Sequence, residues 1–436
     1  MRFRRYAAVA SLLVLSATWW GGRPASAGEV CDQSGISFAE PVKLGTGAGY
    51  EPGIQIDSVG TIYATAHKLS VVREEGTRLA SYLWRSTDGG ATFHNLTADI
   101  PITAMYALEG DLAVDGKDRL YFVDTWAADN HISRWSNRGS KLDFVRPAVA
   151  SAEVDDRPWL AAHGDGYVYY LSNTGYGPTG RLTVHRSTDG GESFDPIGHT
   201  LEKSGWGFID ADPNSSYVYA VYHDQFYGTG LLGRAKSVWV EVSPDRGATW
   251  QRVKIADYEF GADVTADHDD AYPTVSVAPD GSIWALWGDD GRKLMLAHSQ
   301  DHGETWDVRD VTPFEGVFSY SWMSVAPNGD VGISFIADPA AEEVGVNYVY
   351  GMLYRPDASC LQVAGDEESA CSGPATAFAR LEPRSPGGYA SQADFFQNDF
   401  APDNRLHVTW TGRQNKITAT RQSFGPNLAG TDWCGV

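Results

Sequence analysis

"RSTDGGATF" (Arg85–Phe93) is a polar turn closed by an aromatic residue, and it returns almost unchanged as "RSTDGGESF" (Arg186–Phe194). Looser copies follow as "VSPDRGATW" (Val242–Trp250) and "HSQDHGETW" (His298–Trp306). Each copy trails a second repeating unit: an apolar strand, an Asp/Pro/Gly/Asn turn, then a strand rich in Tyr, Trp and Val. That unit begins at Pro52, Asp111, Arg157, Gly207, Tyr272, Tyr320 and Asn398. Seven hairpins at roughly 50-residue spacing is the period of propeller blades. A worn turn, "WSNRGSKLDF" (Trp135–Phe144), follows the second hairpin. Each unit therefore holds about four strands, and such a sheet buries its faces only by stacking on its neighbours. The fold expected is all-β, a seven-bladed β-propeller.

The ends of the chain are read separately. Arg2, Arg4 and Arg5 precede the apolar run Ala7–Trp20, and "ASA" (Ala25–Ala27) supplies small residues for cleavage. This is the pattern of a secretory signal, so residues 1–27 are expected to be removed and 28–436 to form one secreted domain. Loss of the leader leaves 30 basic against 56 acidic groups, a net of −26. That balance disfavours nucleic acid and anionic membrane surfaces as partners. Export permits disulfides, and four cysteines allow three pairings. The positions favour Cys360 with Cys371, and Cys31 with Cys434 tying the two ends. Residues 358–377, small and polar, are expected as an insertion between blades six and seven.

The four turns fit the Asp-box, S-x-D-x-G-x-[TS]-[WF], around Asp88, Asp189, Asp245 and Asp301. An Asp side chain can bond the amides of its own turn, and Gly tolerates positive φ. Through these boxes the chain resembles the Asp-box (BNR-repeat) propellers of the sialidase superfamily. The resemblance implies that the boxes are structural, on the turns between third and fourth strands, facing away from the active site. It also offers six blades as the alternative count. The family's activity is glycoside hydrolysis, with three arginines on the sugar carboxylate, an Asp acid/base and a Tyr–Glu nucleophile pair. In this chain the blade-one arginine is absent: Tyr50 and Glu51 stand before Pro52.

In a propeller the loops entering strand one and leaving strand two share the face opposite the boxes. Before strand one stand Glu51, Asp155, Asp156, Arg157, Trp206, Asp269, Asp270, Tyr272, Tyr320, Trp322 and Asp394. After strand two stand His67, Asp124, Trp126, Asn173, His223, Asp224, Asp289, Asp290, Arg292 and Arg413. Carboxylates for acid–base work, rings for stacking and Arg for polar grips suit a sugar. Asp155, Asp156 and Asp270 are the acid/base candidates, and Tyr320 with Glu315 the candidate nucleophile pair. Glu51, Arg157, Trp206, His223, Asp224, Tyr272, Trp322 and Arg413 are expected to bind substrate, with Arg157, Arg292 and Arg413 as a substitute arginine cluster.

The expected partner is a glycan, met by a monomer. A non-catalytic propeller binding glycan or protein is one alternative. A polysaccharide lyase using His223 with Tyr222 or Arg157 is another. Asp269 and Asp270 with Asp289 and Asp290 offer oxygens for Ca²⁺, though no ordered loop motif surrounds them. No other cofactor is expected, and no GxSxG, phosphate-loop or HExxH signature occurs.

Overall fold

The computed structural model describes residues 31–32, 35–68, 81–97, 109–126, 129–149, 158–173, 182–202, 204–224, 235–262, 273–339, 348–364, 367–383 and 396–428. Among them, seven antiparallel sheets follow one another along the chain. Blade one runs Gly49–Ile56, Ile62–Lys68, Tyr82–Ser86, His94–Asn95, and the same up-and-down order recurs through blade six. Blade seven has Asn398–Phe400, Leu406–Thr411 and Ile417–Phe424. Its outer edge is completed from the start of the chain: Ser37–Phe38 and Val42–Lys43 pair antiparallel with Ile417–Phe424. The ring therefore closes by strand exchange, which removes two exposed sheet edges at once. The sequence had offered only a cysteine bridge for that role. Cys31–Asp32 instead pairs in parallel with Ala375–Thr376 of blade six, and Cys434 lies outside the described residues.

Residues 358–377 depart from expectation as well. They belong to the long outer hairpin of blade six, Tyr348–Ala364 with Glu367–Pro383, whose ladder sets Cys360 opposite Cys371.

The box turns form as the sequence implies. In the first, Ser86 Oγ donates to Asp88 Oδ1, Thr92 N donates to the same oxygen, and Thr92 Oγ1 donates to Asp88 Oδ2. Gly90 N in turn donates to Ser86 Oγ, at φ +85°, where a side chain would be strained. The same bonds recur around Asp189, Asp245 and Asp301. Accepting several hydrogen bonds in the charged form, chiefly from the Thr92 and Thr305 hydroxyls and amides, holds Asp88 and Asp301 down to about 2. The turns also clasp blades together. Arginines of the preceding blade's third strand donate to turn carbonyls: Arg421 to Gly89, Arg134 to Gly190 and Arg186 to Arg246.

Each blade's innermost strand is a sheet edge whose outward amides lack a ladder partner. Side chains of the preceding blade satisfy them. Asp111 accepts from Leu160 N, Asp210 from Val277 N, Asp399 from Ile56 N and Gln397 from Ile54 N. Burial dominates the charge state of these carboxyls, pushing Asp111 and Asp399 up to about 7 and Asp210 to about 6.

Candidate functional site at the mouth of the channel

The innermost strands surround a central channel, and aromatic rings divide it. Trp159, Phe208 and Trp322, from blades three, four and six, meet with ring centroids 4.7–5.5 Å apart. On the box side of this plug lies a cavity of about 220 Å³ lined by all seven blades, with Gln55, Asp210, Ser276, Ser324 and Asp399 among its walls. On the other side is the mouth, bounded by the starts of first strands and the ends of second strands. Trp322, expected to bind substrate, is thus the floor of the mouth and not a freely exposed platform.

Two first strands enter the mouth with backbone strain. Glu51 has φ +50° and Tyr320 φ +52°, each within a bulge of its strand pairing. Positive φ at a non-glycine residue costs roughly 1–3 kcal/mol and concentrates at functional sites. Both side chains are buried. Glu51 Oε2 lies 3.3 Å from His67 Nδ1, within ion-pair reach but off the line of a hydrogen bond. His67 Nε2 accepts from Gly110 N of blade two, which leaves the proton of the neutral ring on Nδ1, toward Glu51. Tyr50 packs edge-on against the same imidazole at 4.9 Å.

His223 occupies the matching place in blade four, the last residue of the second strand. It is 1% exposed, and neither ring nitrogen has a partner among the described residues. Burial pushes it down to about 4, so the ring is neutral at ordinary pH. Four buried hydroxyls at the mouth ends of inner strands are also without partners among the described residues: Thr125, Thr274, Ser321 and Thr411. No motif marks these hydroxyls in the sequence. Only the shared register of the strand ends reveals them.

Other expected site residues are committed elsewhere. Asp124 accepts from the amide and hydroxyl of Ser81, Asp224 from the amides of Lys236 and Ser237, and Asp289 from Glu259 N. Burial holds Asp124 well above the usual carboxylate range. Tyr320 and Glu315 do not form a pair: Glu315 is exposed, Tyr320 is buried, and the extended strand separates them by about 13 Å or more. Tyr222 points to the opposite side of its strand from His223 and bonds Glu241 and Arg252, so the His223–Tyr222 arrangement is overturned. Arg292 and Arg413 are exposed on the loops of blades five and seven, with Arg292 3.3 Å from Asp290. Trp206 is buried at the start of blade four's first strand. Asp155, Asp156, Arg157, Asp269, Asp270, Tyr272 and Asp394 lie outside the described residues. No cluster of three or more metal-ligating side chains occurs among the described residues, nor a helix long and apolar enough to cross a membrane.

The fold and its turns define a seven-bladed propeller with Asp-box turns, and it is through those turns that the chain resembles the sialidase-superfamily propellers. Solved structures resemble it loosely. A protein of unknown function from Dyadobacter fermentans is 14% identical, aligned over 89% of this chain and 99% of its own, with TM-score 0.46. The GH93 α-L-arabinofuranosidase of Fusarium graminearum is 13% identical over 89% and 98%, with TM-score 0.45. A leech intramolecular trans-sialidase is 14% identical over 90% and 71%, with TM-score 0.44. Fits this loose carry nothing about the chemistry of the mouth. No family model matches the chain, and no curated protein is similar to it.

Proposed function

We propose that this is an exported, glycan-acting propeller that cleaves a glycosidic bond at its mouth. One observation carries the reading: His223, Thr125, Thr274, Ser321 and Thr411 are buried at the mouth ends of inner strands with no hydrogen-bond partner among the described residues. Each buried, unpaired polar group costs about 1–3 kcal/mol, and a hydroxyl-rich ligand is the kind of molecule that removes that cost. The strained Glu51 and Tyr320 stand at the same level, over an aromatic floor. In this reading Asp155, Asp156 or Asp270 supplies the acid/base, and Arg157 and Tyr272 contact substrate. Hydrolysis of a broad panel of oligosaccharides, with Asp156→Ala and Asp270→Ala as controls, tests it. The reading fails if no substrate is cleaved and neither variant alters glycan binding.

Binding without cleavage is the second reading. It is favoured by Asp124, Asp224 and Asp289, whose carboxylates hold backbone amides and not an open pocket. Binding to glycans with no released product would select it. Export implies bridged cysteines, Cys360 with Cys371 and Cys31 with Cys434. Peptide mapping of the secreted protein without reductant would show both pairs.

A further inference from the structure

We propose that the mouth takes an uncharged sugar in preference to an anionic one, and that the His223 ring touches it. This rests on the reading of the mouth as a glycan site. His223 and His67 hold the same position in their blades, so the difference between them is informative. His67 receives the amide proton of Gly110 and faces the Glu51 carboxylate. Blade four has no counterpart of the bulged Glu51: its first two strands pair without a break up to Gly207, with Trp206 next beyond it. In blade five the residue matching Gly110 is Pro273, which has no N–H to give. His223 therefore loses both neighbours that satisfy His67, yet stays buried.

A neutral imidazole presents one N–H and one lone pair. A sugar hydroxyl, itself a donor and an acceptor, complements both kinds of group. A carboxylate or sulfate only accepts, and would set its lone pairs against that of the ring. The four unpartnered hydroxyls nearby follow the same logic, since each can donate and accept. Charge at this level runs against anions too. Glu51 and Asp289 are acidic, whereas Lys68, at the mouth end of blade one's second strand, lies 4.9 Å over the Tyr82 ring and burial disfavours its charged form. Arg157, Arg292 and Arg413, the expected arginine cluster, are the residues able to reverse the preference.

Calorimetric titration with matched pairs tests this: oligogalacturonate against its methyl ester, and sialyllactose against lactose, each with an arabino-oligosaccharide as a further neutral probe. The neutral members are expected to bind at least about tenfold more tightly. His223→Phe is expected to fold with an unchanged or raised Tm while weakening neutral-sugar binding about tenfold or more. His223→Gln, which keeps a donor and an acceptor, is expected to retain more of it. Tighter binding of the acidic members would overturn the preference while leaving the glycan reading intact. Unchanged binding by a folded His223→Phe, or by His223→Gln and His223→Phe alike, would overturn the role of His223. Binding of none of the sugars would overturn both this inference and the reading beneath it.

Discussion

His67 and His223 sit at the same point of the propeller, three blades apart, in opposite chemical circumstances. The first is held between a neighbouring blade's amide and a buried carboxylate. The second is equally buried, yet its ring makes no hydrogen bond among the described residues. A wider contrast repeats this one. On the box face the carboxylates of Asp88, Asp189, Asp245 and Asp301 are saturated by their own turns. At the mouth, hydroxyls and an imidazole are left over, and two first strands are strained. A face that satisfies itself serves stability, whereas one that does not is open to a ligand.

The largest effect should come from the plug beneath the mouth. Trp322→Ala is expected to cost about 3–5 kcal/mol in chemical denaturation, since the Trp159 and Phe208 rings cannot close the gap. A near-zero loss would mean that the floor is not a packed layer.

A pH series separates the channel from the boxes next. Asp111, Asp210 and Asp399 titrate higher folded than unfolded, so their stabilisation is complete below about pH 4 and erodes as pH rises through about 6 to 7. Asp88 and Asp301 titrate lower when folded, so their contribution is present above about pH 4 and is lost as pH falls toward 2. Thermal stability should therefore decline from pH 5 to pH 8, and Asp210→Asn with Asp399→Asn should flatten that limb. A rise over the same range would contradict the account of the channel carboxyls.

The two histidines supply a smaller but sharper test. His67→Phe should destabilise by about 1–3 kcal/mol, because it strands the Gly110 amide. His223→Phe should be neutral or stabilising, because it removes an unpaired polar group. Equal losses in urea titrations would erase the distinction between the blades. The smallest change is expected from Asp301→Ala on the exposed turn, a slight lowering of Tm with mouth binding untouched.

Much of the fold was legible because blades repeat. "RSTDGGATF" and its copies mark one turn type at one place in each blade, and the hairpins between them set the count. The site was less legible, because acids near strand ends have two uses that read alike in one dimension. Asp124 and Asp224 look like mouth carboxylates in sequence, yet they hold amides of Ser81, Lys236 and Ser237. Trp322 reads as a stacking ring and is a plug. Thr125, Thr274, Ser321 and Thr411 carry no motif at all.

The sequence by itself determined the repeat, the Asp-box turns, the blade number and which face the boxes occupy, since these depend on contacts within about 50 residues. Tertiary structure alone decided how the ring closes and which polar groups go unsatisfied. Closure joins residues 37–43 to 417–424, a pairing of short segments that carry no mutual signature. The fate of a histidine at a blade's edge depends on whether the next blade offers a glycine amide or a proline. No reading along one strand can see across that gap.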